Sequence, residues 1–179
     1  MSESARAALK ACARGIATTV MLPAIGSYYL RSAIIGRDRA LMGSTQWIAL
    51  IPGLMGIYLR RAFLARALER CASSAAIEWG TLFSAAGTRI DEHAYIGPNC
   101  HIGLAHIERD VLLAPCVHVP SGRLTHGVTD PDEPLRNQQG QPQRVRIGAN
   151  SWIGRRSASR TLPSTTSMRG GRTSASPGA

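Results

Sequence analysis

Between residues 77 and 154, aliphatic and aromatic residues return about every six positions. Starting at Ile77, they fall at Phe83, Ile90, Ile96, Ile102, Ile107, Leu113 and Val119, and again at Ile147 and Ile153. The steps from Ile77 to Val119 are six, seven, six, six, five, six and six. A helix repeats near 3.6 residues and a half-buried strand near 2, so neither period explains six. The spacing predicts short strands, each turning a corner and stacking on the strand one turn below, with about three faces to a turn. The aliphatic residue points inward. The residue after it is often small (Gly97, Gly103, Ala114, Gly148, Gly154) and is expected to leave room at the corner. Between Val119 and Val145 the period lapses into PSGRLTHGVTDPDEPLRNQQGQPQ. Its Pro, Gly, Asp and Gln content predicts a long loop over 120–144 thrown out of the coil, and long loops on regular scaffolds often carry function.

Residues 1–76 have a different pattern, which predicts helices. Gly15 to Leu30 is a run of 16 uncharged residues and Ala40 to Leu59 a run of 20, with arginines on both sides of each. A bilayer crossing needs about 20 apolar residues. Only the second run is long enough, and Gly43-Ser44-Thr45-Gln46, Pro52, Gly53 and Gly56 interrupt it. A helical hairpin dipping into one leaflet, or lying on an anionic surface through residues 15–70, fits better than a clean crossing. The alternative is a pair of helices buried against the rest of the domain or a neighbouring subunit. YLRRAFLARALERC then reads as an amphipathic helix with Arg60, Arg61, Arg66 and Arg70 free for phosphates or partners.

Charge sharpens this division. The net charge is +10. Residues 1–76 hold ten basic and three acidic residues, 77–154 hold six and eight, and 155–179 hold five and none. A nucleic-acid domain should carry its basic patch on the folded body, so no nucleic-acid partner is expected. Residues 155–179 are rich in Ser, Thr, Gly and Arg without period, which predicts a disordered basic tail. The four cysteines form no C-x-x-C pair and read as reduced thiols. The N-terminus lacks a signal-peptide pattern, so a cytoplasmic protein is expected, at the inner face of the cytoplasmic membrane if the hairpin engages it.

The six-residue register, the looped-out segment with its histidine, and VRIGANSWIG directly after it resemble the hexapeptide-repeat acyltransferases. They are most similar to the sugar and exopolysaccharide O-acetyltransferases. The resemblance covers about 60–154 and implies a mainly β fold: a left-handed parallel β-helix of hexapeptide repeats with an N-terminal helical extension. It also implies a homotrimer, acetyl-CoA as acyl donor, a saccharide or polysaccharide-precursor hydroxyl as acceptor, and no metal. In such enzymes a loop histidine is the general base, and the matching position is His126. A histidine suits that task because its pKa lies near working pH. By the same resemblance Trp152 packs near the CoA groove, while Asp130 and Arg136 are the acceptor-side candidates.

The other histidines carry weaker readings. His118 precedes the inward Val119 and reads as outward; His93, His101 and His106 read as solvent or inter-coil positions. His101, His106 and His118 each stand one residue before an inward position, which keeps open a metal-dependent alternative such as a γ-class carbonic anhydrase. The period stops at Gly154, where the resembled family continues with further coils. A frameshift near codon 155 is one expected origin of the tail. Impaired transfer is then expected, with a non-catalytic scaffold or degenerate remnant as the alternative.

Overall fold

The computed structural model describes residues 2–122, 134, 137, 138 and 140–154. Three helices come first: α1 (Glu3–Ile35), α2 (Arg37–Ala49) and α3 (Gly53–Ala67). Eleven strands of two or three residues follow: β1 (Arg70–Cys71), β2 (Ala76–Ile77), β3 (Leu82–Phe83), β4 (Arg89–Ile90), β5 (Tyr95–Ile96), β6 (His101–Ile102), β7 (Ala105–Ile107), β8 (Leu112–Leu113), β9 (His118–Val119), β10 (Val145–Ile147) and β11 (Trp152–Ile153).

The expected fold class is overturned. Among the described residues 43 % are helical, with a long N-terminal helix and short parallel strands in three sheets, and the fold is not a mainly β left-handed β-helix. The reason lies in the first third of the chain. Its apolar runs form helices that share one continuous core with the strands, so they are a full layer of the molecule and not an extension.

The strands are dealt in rotation to three parallel sheets, ordered β1-β4-β7-β10, β11-β8-β5-β2 and β3-β6-β9. Each sheet forms one face of a coil, and the second position of a two-residue strand points inward. Ile77, Ile96 and Leu113 stack along one face, Ile90 and Ile107 along another, and Phe83 and Ile102 along the third, all fully buried. Burying one such side chain contributes about 1.5–3 kcal/mol, so the six-residue spacing marks the inward positions. Small residues matter where chain meets chain. A Cβ on Gly97 would lie 2.8 Å from the Leu113 carbonyl oxygen, and one on Gly103 2.7 Å from the Ser121 nitrogen. Gly148 has no such constraint: its nearest neighbour would be 4.0 Å away.

The helices cover the first turn of the coil. Its strand edges would otherwise present unpaired backbone groups. Arg60 Nε donates to the Ile77 carbonyl at 2.9 Å, and the Gly80 N–H donates to the Ala49 carbonyl at 3.0 Å. The Thr45 hydroxyl meets the Phe83 carbonyl and N–H at 3.3 and 3.4 Å, and the Ala86 N–H donates to Asp38 at 2.8 Å. Tyr28 locks α1 onto α3: it is fully buried, edge-on to Phe63 at 5.6 Å, and donates to the Ala67 carbonyl.

Two helical expectations need correction. The uncharged run from Ala40 to Leu59 is broken at Leu50–Pro52 and so forms no single span; Pro52 caps α3, and Gly53 follows at φ +71°. Arg60 and Arg61 are buried and unavailable to external phosphates, and Arg70 sits in a strand, paired with Asp91 and Glu92.

Candidate functional site

Because inward positions are fixed by packing, outward positions are free to differ, and each face carries its own chemistry. On the first, Arg70, Arg89, His106 and Arg146 form a ladder. It is largely neutralised locally. Asp91 holds both Arg70 at 3.1 Å and His106 Nε2 at 2.9 Å, Glu69 meets Arg89 at 3.5 Å and Arg144 at 2.5 Å, and Glu108 meets Arg146. The Arg146 hydrogen bond holds the Glu108 carboxyl below its ordinary pKa, and the Ala149 N–H adds to the effect.

The second face is apolar outside. Ala76, Tyr95, Leu112 and Trp152 stand in one row, and Trp152 is 73 % exposed. The third face carries Leu82, His101 and His118 in register. His101 Nδ1 and His118 Nε2 are 3.2 Å apart, with the rings nearly edge to face at 73°. One nitrogen must donate and the other accept, so the pair is stable with at least one ring neutral. Burial first, and the neighbouring His118 charge second, push the His101 pKa down.

Beyond β9 the chain leaves this third face. Gly122 sits at φ +85°, and a Cβ there would meet the Gln143 side chain at 2.9 Å. The Gln143 N–H donates to the Ser121 carbonyl at 2.8 Å, and the Ser121 hydroxyl accepts the Leu104 N–H at 2.9 Å. The departing and returning strands are thus tied together at one corner. Strand β10 then takes its place on the next face in rotation, with Val145 opposite Ala105. Residues 123–142 are therefore inserted in sequence between β9 and β10 without disturbing the coil's order, and the chain on either side of them meets at Ser121 and Gln143.

The structure separates the residues singled out from sequence. Trp152 is on the outer side of the apolar face, beside Leu112. His126, Asp130 and Arg136 lie outside the described residues, as does the whole segment 155–179. Within the chain, His101 and His118 adjoin, whereas His106 stands on a different face, bound to Asp91. No group of three His, Cys, Asp or Glu suited to a metal occurs among the described residues. His93 is at a corner with φ +58°, near Asp110 at 3.4 Å.

Reasoning from sequence missed the His101–His118 pairing. The signal was present: 17 residues, one full turn of the coil, separate them, and each precedes an inward residue. An open cleft of about 390 Å³ lies between Ile35–Arg39 and Ala86–Gly87, and none of the candidate residues lines it. No family model matches the chain, and no curated protein or solved structure matches it either.

Proposed function

We propose that the chain is a CoA-dependent O-acetyltransferase acting on a saccharide hydroxyl in the cytoplasm. The observation that carries this reading is the tie at the corner after β9: the Gln143 N–H donates to the Ser121 carbonyl, so the two described ends of the stretch whose sequence contains His126 meet on the coil, and the coil resumes its rotation of faces at β10. In this reading His126 takes the proton of the acceptor hydroxyl as its oxygen attacks the acetyl-CoA thioester carbonyl. A C–O ester bond forms, the C–S bond breaks, and the proton passes to the CoA thiolate. Asp130 and Arg136, in the same segment, contact the acceptor. Trp152, exposed beside Leu112, offers an apolar surface for the pantetheine arm. A homotrimer would close the groove with a second copy.

The test is release of free thiol from acetyl-CoA by the purified chain with a panel of saccharides, for wild type and His126→Ala. Removing the base is expected to lower the rate by about 100-fold or more. Equal rates would remove His126 from the chemistry. Absence of both turnover and CoA binding in a folded protein would leave the non-catalytic scaffold as the better description.

A further inference from the structure

We infer that the helical layer docks on an anionic membrane surface, through the turn between α2 and α3 and through the outer stripe of α1. The turn is apolar where it is most open: Trp47, Leu50, Leu54 and Met55 are 64–77 % exposed. Along α1, Ile16, Val20, Leu30 and Ile34 recur at helical spacing and are 59–75 % exposed. The opposite stripe of the same helix, Ala17, Met21, Ile25 and Tyr28, is buried. A helix apolar on both sides needs an apolar neighbour on both. Helices α2 and α3 supply one, and no described residue supplies the other.

Charge identifies the occupant. Residues 1–76 carry ten basic and three acidic residues. Two of the acids are already engaged: Asp38 accepts the Ala86 N–H, and Glu69 pairs with Arg89 and Arg144. Arg6, Lys10, Arg37, Arg39 and Arg66 are exposed. A second copy seated on this surface would bring the same excess of positive charge against it, a repulsive contact. Anionic headgroups bring the opposite charge together with an apolar layer beneath. Tryptophan suits that boundary, since its ring prefers the headgroup level.

The geometry fits shallow insertion better than crossing. Helix α1 is long and apolar enough to cross a membrane by length and composition. Its inner face, however, is committed to α2 and α3, and Arg31 reaches across to Ser44 at 2.9 Å. Docking keeps those contacts, whereas crossing as a lone helix would break them.

The inference is independent of acyl transfer and is tested without it. The full chain is floated with phosphatidylcholine vesicles, with and without phosphatidylglycerol. Partitioning is expected to favour the anionic vesicles by about tenfold or more and to fall as salt is raised. Trp47→Ser combined with Leu54→Ser and Met55→Ser changes only exposed side chains. It is expected to lower anionic partitioning by about tenfold or more at unchanged melting temperature. Arg37→Gln with Arg39→Gln is expected to reduce the anionic preference while leaving residual binding. Equal partitioning of wild type and the triple variant, or no preference for the anionic vesicles, would overturn the inference. So would sedimentation showing an oligomer that the triple variant dissolves, with no vesicle binding by either protein.

Discussion

Arg60 on α3 donates through Nε to the carbonyl of Ile77, the first inward aliphatic of its face, at 2.9 Å, and through Nη1 to the Ile51 carbonyl at 2.5 Å. It is only 2 % exposed, and burial pushes its pKa down while Glu78 partly offsets this. One side chain thus joins the start of the helical hairpin turn to the first strand edge of the coil. Arg60→Met keeps much of the volume but leaves two carbonyls without donors. A lost hydrogen bond to a charged donor costs about 1.5–3 kcal/mol. The expected destabilisation is about 2–4 kcal/mol in urea unfolding. A change below about 0.5 kcal/mol would show that the covering of the first turn does not depend on this residue.

The inward and outward positions of one strand provide a second test. Ile96 is fully buried between Ile77 and Leu113, whereas the adjacent Tyr95 faces outward in the row with Ala76 and Leu112. Ile96→Ala is expected to cost about 2–5 kcal/mol, because it removes buried methyl groups from a stack that cannot collapse along its axis. Tyr95→Ala should cost less than half of that. Comparable losses at both positions, measured by thermal or urea unfolding, would contradict the assignment of faces.

These two residues also show what the sequence made legible. Ile96 could be read because the coil repeats: each inward position is the same problem solved again, and a period survives without knowledge of the rest of the chain. Arg60 could not. Its partner carbonyl lies 17 residues away, on an element whose position depends on how three helices pack. From sequence alone, an arginine on an amphipathic helix reads as a free cation, and here it is buried. The fold class failed for the same reason, since periodicity described the strands while the size of the helical layer follows from packing. For the candidate site, the insertion point of the long segment was legible as a lapse in the period, whereas Trp152 was singled out only through the resemblance and its exposure was not read from the sequence. The His101–His118 contact needed the length of one full turn, which is a sum of three unequal steps.

The thiols offer a third prediction. Cys12 and Cys116 are exposed, Cys100 is buried and Cys71 half-buried by residue surface. Burial pushes the Cys71 thiol up to about 12, and burial likewise raises that of Cys100. Alkylation depends on the thiolate, so at about pH 8 the native protein should label rapidly at Cys12 and Cys116 and slowly at the other two. All four should label after denaturation. Mass spectrometry of the labelled peptides decides it; rapid labelling of Cys71 in the folded chain would show that the first turn of the coil opens readily.

The His101–His118 pair predicts a pH dependence whose sign follows from its environment. The folded pKa of His101 is lowered, by burial first and by His118 second, from an unfolded value of about 6.5. In that window the unfolded chain binds more protons than the native one, so stability rises with pH. The contribution is fully present above about 6.5 and is lost as pH falls through the lower folded value. Melting temperatures taken from about pH 7.5 down to 5 should fall more steeply for wild type than for His101→Phe, which has no imidazole to protonate. His118→Phe should show an intermediate slope, because it removes the second charge and leaves the burial. Parallel slopes for wild type and His101→Phe would show that the pair does not couple to folding. A steeper slope for His118→Phe than for wild type would show that His118 stabilises the protonated form of its neighbour, which reverses the sign argued from the 3.2 Å contact.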